Sequence, residues 1–207
     1  VTTARELLSV SPVIPVVVID DIAHAVPLAR ALVRGGIRVI EVTLRTEAGL
    51  PAIERIAAEV PDILVGAGTV ITPEQAEASV KAGSSFLVTP GTTDRLLDAL
   101  EGSGVPFLPG AATISEALKL SERGHETLKF FPAEQSGGTP FLKALSGPLP
   151  GLRFCPTGGI TPTSARGYLA LPNVGCVGGS WLTPKDALAA GDWATVERLA
   201  AEALSLG

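Results

Sequence analysis

Methionine is absent from the 207-residue chain, aromatic residues make up 4% of it, and cysteine and histidine occur twice each. Two cysteines cannot staple a disulfide scaffold. Both Cys155 and Cys176 lie in apolar runs, which predicts buried free thiols and a reducing, cytoplasmic setting. The two histidines give no metal site: His24 falls in a predicted helix and His125 in a polar loop before a predicted strand, with no second ligand at a useful spacing. Both are expected at the surface, and the lack of a placed histidine also argues against a Ser-His-Asp hydrolase.

No block of like charge occurs. Net charge is −5, from 16 basic and 21 acidic residues, so the electrostatic footprint of a nucleic-acid binder is missing. Long apolar runs are also missing. Mean hydropathy is high at +0.38, yet a run such as 13–19 is short, contains Pro15, and falls far below the ~20 residues of a spanning helix. Val1 to Arg5 do not place a basic region ahead of a long apolar one, so no secretory signal is expected in the chain as given.

What is present is 46% hydrophobic residues, with 23 Gly and 17 Pro as punctuation. A single domain over 1–207 can bury about 70% of its unfolded surface without metals or disulfides. Short β-branched runs end at Gly, Pro or Thr and are each followed by a segment rich in Ala, Leu, Glu and Arg, the alternation of parallel strands with crossover helices. Strands are predicted at 13–18, 39–44, 63–68, 86–89, 107–110, 127–131, 153–157 and 174–177. Helices are predicted over 22–34, 48–60, 73–83, 93–100, 115–123, 141–145, 163–170 and 193–206, with Pro27 a kink in the first and Thr72-Pro73 a cap on the third. Eight such units make a closed (β/α)8 TIM barrel, shorter than the typical ~250 residues. The alternative is an open doubly wound sheet, with its site at a switch point.

In a barrel the chemistry belongs at the carboxyl ends of the strands. Lys129 is one of only five lysines and lies between Leu128 and Phe130 inside a predicted strand. Burial disfavours its cation, and a free amine in an apolar site is what attack on a carbonyl requires. The competing readings are a snorkelling lysine or one paired with a carboxylate. Glu41 also lies inside a strand; alternation puts it with Val39 and Thr43, facing either the barrel interior or the helix layer. It is then half of an internal ion pair or a proton carrier, with Lys129 as its natural partner.

Arg45, just past that strand, offers a fork of donors to a carboxylate or phosphate. Thr69 ends the turn Gly66-Ala67-Gly68-Thr69. Paired glycines follow the last two strands, in Thr157-Gly158-Gly159-Ile160 and Gly178-Gly179-Ser180-Trp181. Exposed backbone N–H groups at these two ordinal positions form the recurrent phosphate cradle of such barrels.

Taken in order, Glu41-Val42-Thr43-Leu44-Arg45-Thr46, Gly66-Ala67-Gly68-Thr69-Val70, Lys129-Phe130-Phe131-Pro132-Ala133-Glu134, Pro156-Thr157-Gly158-Gly159-Ile160 and Gly178-Gly179-Ser180-Trp181 closely resemble the 2-keto-3-deoxy-6-phosphogluconate (KDPG) and 4-hydroxy-2-oxoglutarate (KHG) aldolases. The likeness runs from Pro12 to the last helix. It implies a homotrimeric class I aldolase with a TIM-barrel fold, free of metal and cofactor, acting on a small 2-keto acid phosphate. By motif, it implies the Schiff-base lysine at Lys129 and the acid/base at Glu41. Carboxylate binding falls to Arg45 and Thr69, further substrate contact to Pro90 and Thr157, and phosphate binding to Gly158, Gly159, Gly179 and Ser180. Thr92 and Gln135-Ser136 depart from the family pattern. The galactonate-type aldolases are the nearest rival, disfavoured by the polar Thr157; a phosphate-sugar binding barrel without turnover would leave Lys129 and Glu41 unexplained.

Overall fold

A computed structural model of the chain describes residues 3–207; Val1 and Thr2, part of the domain expected over 1–207 and of the segment read for a leader, lie outside the described residues. The strands are β1 (Val13–Val17), β2 (Val39–Thr43), β3 (Leu64–Gly68), β4 (Leu87–Val88), β5 (Phe107–Leu108), β6 (Gly110–Ala111), β7 (Thr127–Phe130), β8 (Arg153–Pro156) and β9 (Val177–Gly179). Helices alternate with them: α1 (Ala4–Leu7), α2 (Ala25–Arg34), α3 (Gly49–Glu59), α4 (Pro73–Lys81), α5 (Asp94–Glu101), α6 (Ile114–Glu122), α7 (Gly138–Leu145), α8 (Pro162–Leu169), α9 (Lys185–Ala190) and α10 (Trp193–Leu204).

Every strand pairing is parallel, in a six-stranded order β5-β4-β3-β2-β1-β9 and a three-stranded order β6-β7-β8. The first strand therefore pairs with the last, so the sheet curls and has no switch point between β1 and β5. Bridges at Phe154–Val174 and Thr157–Gly178 join the end of β8 to the segment entering and forming β9.

Most expected elements appear with ends moved by a residue or two. The strand expected at 107–110 is in two pieces because Pro109 has no N–H to give a ladder; its carbonyl still accepts the Lys129 N–H at 3.0 Å. The last strand lies later than expected, at 177–179, where Val177, Gly178 and Gly179 match Val13, Ile14 and Pro15. Pro27 is no kink. The expected helix opens as a 3-10 turn over Ile22–His24, capped by the Asp21 side chain, and Pro27 falls in the first turn of α2, where its missing N–H costs nothing. The short helices α1 and α9 were not expected.

Threonine caps do much of the local work: Thr72, Thr93, Thr113 and Thr161 each accept a backbone N–H at a helix start, the last two in reciprocal capping boxes. Neither histidine is simply at the surface. His24 is half-buried with its ring edge-on to Trp193 at 5.5 Å, and His125 bonds Glu101 at 2.8 Å beside the Phe107 ring. Outward-facing Leu128 and Phe130 of β7 are buried against the helix layer, Phe130 stacking on Phe141 of α7 at 5.1 Å. Alternation then turns Thr127, Lys129 and Phe131 the other way, inward.

Candidate active site

Glu41 lies on β2 and Lys129 on β7, far apart in sequence and both nearly closed to solvent, at 3% and 4% exposure. Their side chains meet inside the curled sheet, with Lys129 Nζ donating to Glu41 Oε1 at 3.1 Å. The open choice for Glu41 is thereby decided: it faces the interior, in an ion pair with Lys129. Such a pair exchanges hydration for one strong contact, which makes it poor evidence for stability. One proton passed from Nζ to Oε1 leaves a free amine and a carboxylic acid side by side. The Phe131 ring, its centroid 5.4 Å from Nζ, closes another side.

Small residues make room for the pair. Gly66 and Gly68 are the β3 partners of Glu41 and Thr43. A Cβ on Gly68 would come within 2.5–2.6 Å of Glu41 Cγ and Cδ. Gly110 is the β6 partner of Lys129, and a side chain there would strike the Pro90 backbone. Thr89 and Thr92 hold that junction: the Gly110 N–H donates to Thr89 Oγ1 at 2.9 Å, and Thr92 Oγ1 donates to the Gly110 carbonyl at 3.1 Å. Thr92 is thus a brace between β4 and β6. Thr43 is fully buried and donates to the Val17 carbonyl at 3.0 Å.

The other predicted residues ring the carboxyl ends of the strands. Pro90 follows β4 and is half-buried. Arg45, two residues past β2, is exposed and forms no ion pair with another described residue. Thr69, one residue past β3, is half-buried and holds a φ of +58°; it is the only non-glycine with positive φ among the described residues. A β-branched residue in that region is strained by about 1–3 kcal/mol, a pattern concentrated at binding and catalytic sites.

Thr157 is buried beside β9, its hydroxyl occupying space that a side chain on Gly178 would take. Gly158 and Gly159 turn with φ of +105° and +76°, a pair of conformations that glycine alone takes without strain. Ser180 is exposed one residue past β9, and the Trp181 ring fills the space left by Gly179. Thr157 and Gly178 are bridged, so the two glycine turns are neighbours. A cavity of about 570 Å³ lies alongside, lined by Val16, Val18, Ser180 and Thr183. Val16 is the β1 partner of Glu41. Asp20, Asp21, His24, Lys185 and Asp186 also line it.

Sequence reasoning missed one feature of the interior. Cys155 is the β8 partner of Lys129, and the Cys176 side chain lies next to that of Cys155. The neighbouring Cys155 thiol, then burial and the nearby Glu41 carboxylate, push the Cys176 thiol well above its usual range. Both cysteines are free and buried, as expected. Among the described residues no group of three or more His, Cys, Asp or Glu is placed to hold a metal ion, and no helix is long and apolar enough to cross a membrane.

This arrangement has close counterparts. The chain is 52% identical to the 2-dehydro-3-deoxy-phosphogluconate aldolase of Pseudoalteromonas atlantica over 98% of its own length and 94% of that protein's. It is 50% identical to the KHG/KDPG aldolase of Escherichia coli K12, covering 98% and 95%. The KDPG aldolase of Legionella pneumophila, solved with pyruvate captured at low pH as a covalent carbinolamine intermediate, superposes with a TM-score of 0.96 at 46% identity, covering 98% of each chain. Residues 4–199 match the family described as KDPG and KHG aldolase, and the chain belongs to that family.

Proposed function

We propose that the protein is a class I aldolase that cleaves KDPG to pyruvate and D-glyceraldehyde 3-phosphate, and KHG to pyruvate and glyoxylate. The observation that carries this reading is the buried Lys129–Glu41 pair at 3.1 Å. The covalent carbinolamine of the Legionella relative supports it.

In this reading Lys129 gives a proton to Glu41 and the free amine attacks the C2 ketone. Protonated Glu41 returns that proton to the carbinolamine hydroxyl, which leaves as water, and the resulting iminium accepts electrons from the C3–C4 bond. Ionised Glu41, directly or through a water, takes the proton of the C4 hydroxyl as that bond breaks, and the aldehyde departs. Protonated Glu41 then returns the proton to C3 of the enamine, and hydrolysis of the iminium releases pyruvate. Arg45 and Thr69 hold the substrate carboxylate, and Pro90 and Thr157 line its length. Gly158, Gly159, Gly179 and Ser180 take the phosphate, whose binding energy positions the reacting carbons.

Thr157 favours the gluconate over the galactonate epimer. The likeness to known aldolases and the pairing of β1 with β9 support a closed eight-stranded barrel in one domain, residues 107–111 forming one ring strand interrupted at Pro109. Family membership supports a homotrimer in the cytoplasm, for which exposed Ile71, Ile114 and Leu118 offer apolar surface.

Exchange of pyruvate methyl protons in deuterated water tests the division of labour. The wild type exchanges them through the enamine. Glu41→Gln forms the imine more slowly, and the imine that does form exchanges those protons at least about 100-fold more slowly, the usual weight of a placed acid/base group. Equal exchange by the two proteins rejects Glu41 as the proton carrier.

A further inference from the structure

Glu134 reaches the Gly158-Gly159 turn from behind. Its N–H donates to the Gly158 carbonyl at 3.2 Å, and the preceding Ala133 N–H donates to the Thr157 carbonyl at 2.8 Å. Its Cβ and Cγ fill the space beside Gly159, 2.9 and 2.8 Å from where a side chain would begin. Its carboxylate then turns away to accept the Tyr168 phenol proton at 2.9 Å, from α8, the helix that follows the turn. Tyr168 is 1% exposed, so its ring is a fixed anchor. Burial, and next the Glu134 carboxylate, push the phenol above its usual range, so it stays a donor. Beside this contact lies a cavity of about 450 Å³ lined by Glu134, Gly138, Ser164, Gly167 and Tyr168. Without the phenol, Glu134 has room to swing into it.

We propose that Glu134 and Tyr168 are positioning residues for substrate phosphate: the Tyr168–Glu134 bond clamps the Gly158-Gly159 turn between the β7 exit and α8, and so fixes the backbone N–H groups that take the phosphate. The inference rests on the aldolase reading and extends it. Neither residue touches the reacting carbons, so the effect belongs to substrates that carry phosphate.

Steady-state kinetics on KDPG and on the phosphate-free KHG, with binding of inorganic phosphate followed by NMR, tests it. Tyr168→Phe keeps the ring and is expected to raise KM for KDPG about fivefold, the loss of one modest hydrogen bond, with kcat and both KHG parameters within twofold of wild type. Glu134→Gln keeps an acceptor oxygen and is expected to stay near wild type, whereas exposed Glu134→Ala repeats the Tyr168→Phe effect and serves if that variant does not fold. An unchanged KM for KDPG, or equal changes on both substrates, overturns the proposal. If the wild type cleaves neither substrate, the aldolase reading fails on its own; weaker inorganic phosphate binding by Glu134→Ala then still supports the clamp, and unchanged binding rejects it.

Discussion

Gly68 has no side chain where Glu41 needs the space: a Cβ there would stand 2.6 Å from the Glu41 carboxyl carbon. Gly68→Ala therefore forces the carboxylate off Lys129 or shifts β3. Overpacking of this kind costs about 1–3 kcal/mol of stability, and misplacement of a reacting group by about 1 Å costs near 100-fold in rate. The expected variant is folded, somewhat less stable, and slowed in kcat on KDPG and KHG alike. Wild-type kcat would show that the contact does not set Glu41 in place.

Ser180 stands at the opposite end of the proposed substrate. A hydrogen bond to a charged group contributes about 1.5–3 kcal/mol, so Ser180→Ala is expected to weaken KDPG use about 10- to 100-fold in kcat/KM. KHG has no phosphate and should lose little. Equal losses on the two substrates contradict the assignment.

The interior thiols should be silent. Cys155 and Cys176 are buried, and the Cys176 thiol is held well above its usual range, so neither presents a thiolate to solvent. A chromogenic disulfide reagent is expected to titrate no thiol in the native protein and two after denaturation. Fast reaction of either cysteine in the native state would show that the interior opens.

Acid unfolding follows from carboxylates at the helix starts and around Arg123. Glu101 is held below its ordinary range first by Arg123 and then by His125, Asp94 by Lys119, and Glu116 by the Ala112 N–H and then Thr113. Their folded pKa values lie below the unfolded ones, so their contribution is complete above about pH 4 to 4.5 and is lost as pH falls through the folded values. Thermal midpoints should be level from pH 6 to 5 and drop below about pH 4.5. An Asp94→Asn, Glu101→Gln double variant should start lower and drop less steeply. The contrast should shrink in high salt because these groups are exposed.

The alternation of strands and helices was legible because it rests on local pattern: β-branched runs, threonine caps and glycine stops. Lys129 and Glu41 were legible as a pair because a charge inside an apolar strand needs a partner. Strand ends were less so, since Pro109 and Gly178 act through what their neighbours on other strands accept. The Cys155–Cys176 contact, the Thr89–Thr92 brace and the Tyr168–Glu134 bond could not be read in advance, because each depends on register between strands or on a helix packing over a turn. Arg45 and Thr69 were legible from their places just past two strands, with a carboxylate-binding role given by motif, whereas the left-handed Thr69 backbone was not legible.

The central claim is that Lys129 forms the imine. Borohydride reduction in the presence of pyruvate, followed by peptide mass spectrometry, reads it directly. The expected result is one stable pyruvate adduct on Lys129, absent from Lys129→Ala, with the other lysines unmodified; no adduct, or an adduct on a different lysine, contradicts the account.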